Sequence, residues 1–410
     1  MRMPSPPVFP PSPLTLTSLA GLRAAGVRAG IKPSGNPDVA LLVADRPMSI
    51  AGVFTTNHFA APPVLLCRRH LAETGGQARA IVVNSGNANA CTGEQGERDA
   101  AAMAARVAER IGCPPREVLV ASTGVIGQKL PMPKVLAGID ACVDSLSSDL
   151  EAGRRFLAAI QTTDAFSKES GELLPPQNAS SDTGVRVAGV AKGAGMIEPR
   201  MATMLAFLGT DAPATPADLA ALIAPLARET FNAVHVDSHT STNDTFLLFA
   251  TGARPAGPPS TDWHAAAARV AKRLAWLIAR DGEGATKVTT IEIVGAQDDP
   301  SAAAIARELA HSALVRTALF GNDPNWGRFV SAAGNSPSIR DASRLRCTLQ
   351  GTVVFENGEP TTFDRGALSR AMAKDDVSLV LDIGEGPGRA RVLTSDLGYK
   401  YVEINAEYTT

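Results

Sequence analysis

Short β-branched runs alternate along this chain with alanine-rich stretches, and that alternation constrains its architecture more than any other feature. "AIVVNSGN" gives way to a helical pattern from Arg98 to Ile111, stopped by Gly112 and Pro114; "EVLVASTGVIG" then reads as a strand entering a glycine turn. A second helix has explicit start signals: Thr215 as N-cap, Pro216 at the first helical position and Asp218 favourable to the dipole. It is expected to run to about Phe231. A third covers Trp263 to Arg280, with Val270, Leu274, Leu277 and Ile278 along one face, and a fourth lies within Ala302 to Leu319. After Lys287, "VTTIEIVGA", "RLRCTLQGTVVF", "DVSLVLDIG" and "ARVLTSDL" suggest a smaller α+β unit. The expected class is α/β, or α+β, with mixed sheets.

Composition narrows the partners. With 39 Lys and Arg against 41 Asp and Glu, a formal charge of -2 and 5 % aromatics, the chain offers neither a phosphate-tracking groove nor a stacking platform for nucleic acid. Prolines interrupt the apolar residues of "MRMPSPPVFPPSP", so a lead-in over residues 1–13, flexible or extended, is expected there rather than a secretory signal. No run approaches the roughly 18 apolar residues of a membrane span. Cys67, Cys91, Cys113, Cys142 and Cys347 are odd in number and never form a CxxC pair, which fits packed thiols in a reducing, cytoplasmic setting and argues against a zinc site.

Several motifs lead nowhere catalytic. "DIGEGPGRARV" has the glycines of a dinucleotide-binding turn, but Pro387 and the strand-like "ARVLTSD" point to a turn between strands. "DGEGATK" lacks the order of a phosphate loop. "VDSHTSTNDT" gathers Asp237, His239 and Asp244, ligand types for a divalent metal, yet it also reads as a polar turn bonding its own backbone; no metal is expected. In "VNSGNANACTG", Asn84, Asn87 and Asn89 follow a strand, and asparagine can either hold backbone or orient a ligand. HExxH and GxSxG are both absent.

That leaves Thr203. A threonine hydroxyl is a poor nucleophile without a nearby base, and one solution is the residue's own α-amine, freed at a new N-terminus. Such an amine has an ordinary pKa of about 7.7 to 8.0, so a useful fraction accepts protons at neutral pH. In "AKGAGMIEPRMATMLAFLGTDA" the small Ala202 leaves its carbonyl approachable by Thr203, and glycines 193 and 195 allow a tight path. Cleavage between Ala202 and Thr203 would create nucleophile and base together.

The same segment resembles the self-cleavage region of the ornithine acetyltransferase, or glutamate N-acetyltransferase, family. The resemblance covers nearly the whole chain, through "AGVFTTN", "VVNSGNANACTG", "STGVIGQKLPM", "TTDAF", "TSTNDT", "RDGEGATK", "DPNWGR" and "YVEINAEYTT". The chain departs from the family pattern at "SHTSTND" and "DLGYKY". The resemblance implies acetyl transfer from N2-acetylornithine to glutamate in arginine biosynthesis, through an acetyl-Thr203 ester, with acetyl-CoA open as a second donor and no cofactor. It assigns the oxyanion site to Thr123 and Gly124, and substrate contacts to Thr162, Lys192, Thr203, Glu283, Asn405 and Thr410. It further implies a four-layer αββα nucleophile domain over residues 14–287 and a smaller α+β domain over 288–410, whose tail returns to the active site. An α chain of residues 1–202 and a β chain of residues 203–410 would stay together, commonly as a dimer of αβ units, a heterotetramer. The rival readings are an amidohydrolase or aminopeptidase using the same nucleophile, and a non-enzymatic protein that never cleaves.

Overall fold

The computed structural model describes residues 11–174, 184–198, 204–254 and 261–407. Two compact units share them: one is drawn from the chain up to Asn232 and from His239–Ile278, the other from Ala233–Ser238 and from Ala279 onward. Strands in chain order begin with β1 (Leu22–Val27), β2 (Val39–Phe54), β3 (Gln77–Asn87), β4 (Val118–Val125) and β5 (Lys168–Leu174). There follow β6 (Val185–Lys192), β7 (Leu205–Thr210), β8 (Val234–His235) and β9 (Thr245–Ala250). Helices over the same stretch are α1 (Pro62–Thr74), α2 (Gly93–Ile111), α3 (Met132–Asp144), α4 (Leu150–Ile160), α5 (Pro216–Glu229) and α6 (Thr261–Arg280).

The first unit is built on a mixed sheet of order β4-β3-β2-β9-β7-β6-β5, with β1 also paired to β2. β3 and β4 run parallel, as do β7 and β9, while β2 is antiparallel to its neighbours. Side chains alternate across β2. Leu41 and Val43 join Met103 and Val107 of α2 and Ile139 of α3, whereas Ala40 and Leu42 join Phe156 and Leu157 of α4. Both faces of the sheet are thus covered, each large apolar side chain contributing about 1.5–3 kcal/mol relative to exposure.

The expected helix signals act locally. Thr215 Oγ accepts the Asp218 N–H and the Asp218 carboxylate accepts the Thr215 N–H, closing a capping box at the start of α5. α5 ends at Glu229, two residues before Phe231, and α6 starts two residues before Trp263. α2 ends at Ile111 and is capped by Gly112, whose φ of 70° suits glycine, and it begins at Gly93 rather than Arg98.

The second unit contains β10 (Val288–Ala296), α7 (Asp299–His311), α8 (Ala313–Phe320) and α9 (Trp326–Ala333). It continues through β11 (Arg346–Leu349), β12 (Thr352–Glu356), β13 (Glu359–Pro360), α10 (Arg365–Met372), β14 (Asp376–Asp382), β15 (Gly388–Ser395) and α11 (Tyr399–Glu407). Its sheet has the order β13-β12-β11-β14-β10-β15-β8 and is also mixed, β10 and β14 being parallel and β10 and β15 antiparallel. Ile291, Ile293, Leu379 and Leu381 pack there with Ile305 and Leu309 of α7.

One expectation is corrected: the fourth helix is two. Ser312 takes an extended conformation (φ -66°, ψ 111°) and its Oγ accepts the Val315 N–H, so it ends α7 and caps α8. "DIGEGPGRARV" joins β14 to β15 as a turn between strands, with no helix after it. Among the described residues no helix is long and apolar enough to cross a membrane. Residues 1–10 of the expected lead-in lie outside the described residues.

Candidate active site

The end of β4 is fixed by its backbone. β4 pairs with β3 in parallel, Ser85 opposite Thr123 and Gly86 opposite Gly124. Gly124 has φ +131°, and a Cβ there would lie 2.3 Å from the Gly86 carbonyl carbon and 2.5 Å from the Asn87 nitrogen. Only glycine fits, for conformation and for space alike. The asparagines prove to hold backbone. Ser122 Oγ donates to Asn84 Oδ1 (2.6 Å), Asn84 Nδ2 donates to the Asn87 carbonyl (2.8 Å), and Asn87 Nδ2 donates to the carbonyls of Gln128 and Lys129. Asn89 Nδ2 donates to the Gly96 carbonyl. Thr123 and Gly124 therefore sit on the braced end of β4 rather than on a free loop.

Lys192 closes β6 with 8 % of its surface exposed, and its Nζ donates to Thr123 Oγ1 at 3.1 Å. Beside it lies Asp164, a residue the sequence did not single out, whose side chain has no exposed surface. Its Oδ1 accepts from Lys168 Nζ (2.5 Å) and from the Gly193 N–H (2.8 Å), while Oδ2 accepts from the Thr162 N–H (2.8 Å). One carboxylate thus fixes Thr162 and the residue after Lys192. Burial by itself would raise the Asp164 carboxyl, but Lys168, Lys192 and the Gly193 amide hold it well below the ordinary carboxylate range. Lys32 completes the cluster: its Nζ donates to the carbonyls of Pro37 and Gln161. Burial lowers its ammonium to about 8, with Asp38 opposing and the Lys192 charge assisting.

"TSTNDT" ties the loop before β9 to the same place. Asn243 Nδ2 donates to the carbonyls of Ala88 (2.6 Å) and Ser122 (2.9 Å), gripping the strand one residue ahead of Thr123. The Asp244 carboxyl is pushed well above its ordinary value by burial, against the pull of the Met204 N–H that it accepts and of Lys192. Met204 is the residue directly after Thr203. Thr240 and Thr55 hydroxyls donate to the carbonyls of Glu198 and Ser241, so this segment behaves as the polar turn that was one of its two readings. Ala202, Thr203 and Thr410 lie outside the described residues.

Glu283 and Asn405 meet in the second unit, where Asn405 Nδ2 donates to Glu283 Oε2 at 2.9 Å. The buried Asp396 accepts the Thr286 N–H (2.8 Å) and hydroxyl (2.5 Å), and Arg316 donates to the Ser395 carbonyl and hydroxyl. That pair of residues holds the loop carrying Glu283 and the turn that launches α11. Cys67, Cys142 and Cys347 are buried, which pushes each thiol up to about 12. Cys91 is exposed.

A braced strand end with a hydroxyl and a glycine, a lysine bonded to that hydroxyl and a buried carboxylate behind the lysine make a site suited to stabilising a developing negative oxygen. The chain is similar to proteins of one known family. The model of the ArgJ family matches residues 23–410. The arginine biosynthesis bifunctional protein ArgJ of Rhodopirellula baltica is 45 % identical over 401 residues, 95 % of this chain and 96 % of that protein. ArgJ of Thermus thermophilus is 46 % identical over 391 residues, 95 % of this chain and 98 % of that one. A solved ornithine acetyltransferase from Mycobacterium tuberculosis, complexed with ornithine, is 39 % identical, with 45 % of this chain and 93 % of that chain covered and a TM-score of 0.39.

Proposed function

Because the chain belongs to the ArgJ family, we propose that it moves an acetyl group from N2-acetylornithine to glutamate through Thr203. It is an acetyltransferase of arginine biosynthesis acting on small molecules. In the proposed cycle the chain first cleaves between Ala202 and Thr203. Thr203 Oγ then attacks the acetyl carbonyl of N2-acetylornithine, its own α-amine takes the proton, and ornithine leaves with its amine reprotonated. The amine of glutamate attacks the resulting ester, restoring the hydroxyl and releasing N-acetylglutamate. Both tetrahedral intermediates place a negative oxygen at Thr123 and Gly124. Thr162, Lys192, Glu283, Asn405 and Thr410 would hold the amino-acid substrate: Lys192 suits its carboxylate, and Glu283 suits an ammonium.

The observation that carries this assignment is the Lys192 Nζ to Thr123 Oγ1 contact of 3.1 Å, which joins two residues named for different tasks and 69 positions apart. The cycle needs no cofactor. Acetyl-CoA as a second donor, a dimer of αβ units and a cytoplasmic location complete the proposal. Its test is product analysis with N2-acetylornithine, with and without glutamate. A transferase yields N-acetylglutamate and ornithine when glutamate is present and little acetate when it is not. Acetate formed equally in both mixtures would mark a hydrolase instead.

A further inference from the structure

We propose that Lys192 is a positioning residue of the oxyanion site: by donating to Thr123 Oγ1 it turns the threonine hydroxyl proton toward the reacting oxygen and strengthens it as a donor. The proposal rests on the reading of Thr203 as nucleophile and Thr123 as oxyanion donor. A hydroxyl has one hydrogen and two acceptor lone pairs, and its hydrogen rotates to suit its surroundings. At 3.1 Å the Lys192 ammonium takes one lone pair, so the hydroxyl hydrogen cannot point at the lysine and is directed elsewhere. A cationic donor on the oxygen also polarises the O–H bond, as successive hydrogen bonds in a chain do.

The contact is built rather than incidental. Lys192 is 8 % exposed at the end of β6, and Asp164 pins the next residue through the Gly193 N–H at 2.8 Å. The Asp164 side chain is itself buried and paired with Lys168. On the other side, Ser122 is held through its hydroxyl by Asn84 and through its carbonyl by Asn243, so Thr123 has little freedom to withdraw. An ammonium carries three donors, so a bond to Thr123 does not by itself exclude one to a substrate carboxylate. Lys192 therefore serves two tasks, and a donor without a carboxylate separates them.

The experiment follows acetylation of Thr203 by p-nitrophenyl acetate, reading nitrophenolate release and the mass of the chain that begins at Thr203, with rates taken per processed chain. Wild type is compared with Lys192→Met, Thr123→Val, the double variant and Lys192→Arg; Lys192→Gln replaces the methionine variant should that fail to fold. Loss of the lysine should slow acetylation roughly 10- to 100-fold, the worth of a hydrogen bond to a charged group. The double variant should be no slower than Thr123→Val alone, and Lys192→Arg should recover part of the rate. Wild-type acetylation rates in Lys192→Met, with only the KM for N2-acetylornithine raised, would overturn the proposal. So would losses that multiply in the double variant. If wild type is never acetylated on Thr203, the functional reading itself falls and takes this proposal with it.

Discussion

The Asp164 side chain carries no exposed surface, yet it receives a lysine and two backbone amides, so replacing it with asparagine removes the counter-charge of a buried ammonium and one of two acceptor oxygens. Breaking a buried pair in this way costs about 3–5 kcal/mol. We expect Asp164→Asn to lower the urea midpoint accordingly at neutral pH. The sign of its pH dependence comes from a carboxyl held below its ordinary value of about 3.9. Its stabilisation is fully present above that value and is lost as pH falls through the depressed one, so the gap between wild type and variant should close only in acid. Gly124→Ala places a Cβ 2.3 Å from the backbone of Gly86 at a φ that side chains avoid. Denaturation should show a loss of about 3 kcal/mol or more, or no folded protein. The two residues differ in how readable they were. Glycine in "STGVIG" announces a special backbone, whereas Asp164 inside "TTDAF" looks like any polar residue after two threonines. Its importance comes from burial and from Gly193, 29 residues away, neither of which a local pattern contains.

Elements were legible where their signals were local. Thr215, Pro216 and Asp218 mark the start of α5 and Gly112 the end of α2, because capping chemistry involves residues within one turn. Across Ala302 to Leu319 the alanine-rich pattern concealed a break, although Ser312 three residues before Val315 was an available cap signal. Ser312→Ala should therefore cost about 1 kcal/mol, read as a fall in the denaturation midpoint. β8 could not have been read at all. It is two residues long and exists because Val234 and His235 pair with Leu393 and Thr394 of β15. The loop before β9 lies between these cases: its polar character was plain, but its grip on β4 through Asn243 was not. Asn243→Ala removes the donors from two buried carbonyls, at about 1–3 kcal/mol. A time course of chain cleavage on denaturing gels should show slower processing than wild type, because the strand end carrying Thr123 is no longer held.

At the scale of the molecule, alternation of strand and helix patterns was enough to place the chain among mixed α/β proteins, and both sheets are mixed. Motif order then identified the family, which the match over residues 23–410 establishes. Spacing alone could not bring Thr123, Thr162, Lys192 and Met204 together, since only the sheet order and the two buried aspartates do so. On the function proposed above, this arrangement serves an acetyl group carried on Thr203. Intact-mass spectrometry of the denatured protein tests it most directly, after brief exposure to N2-acetylornithine without glutamate and beside Thr203→Ala. We expect two chains that join at Ala202 and Thr203, one acetyl group on the chain beginning at Thr203, and an uncut, unmodified Thr203→Ala chain. A single uncut chain in wild type, or an acetyl group elsewhere, would contradict it.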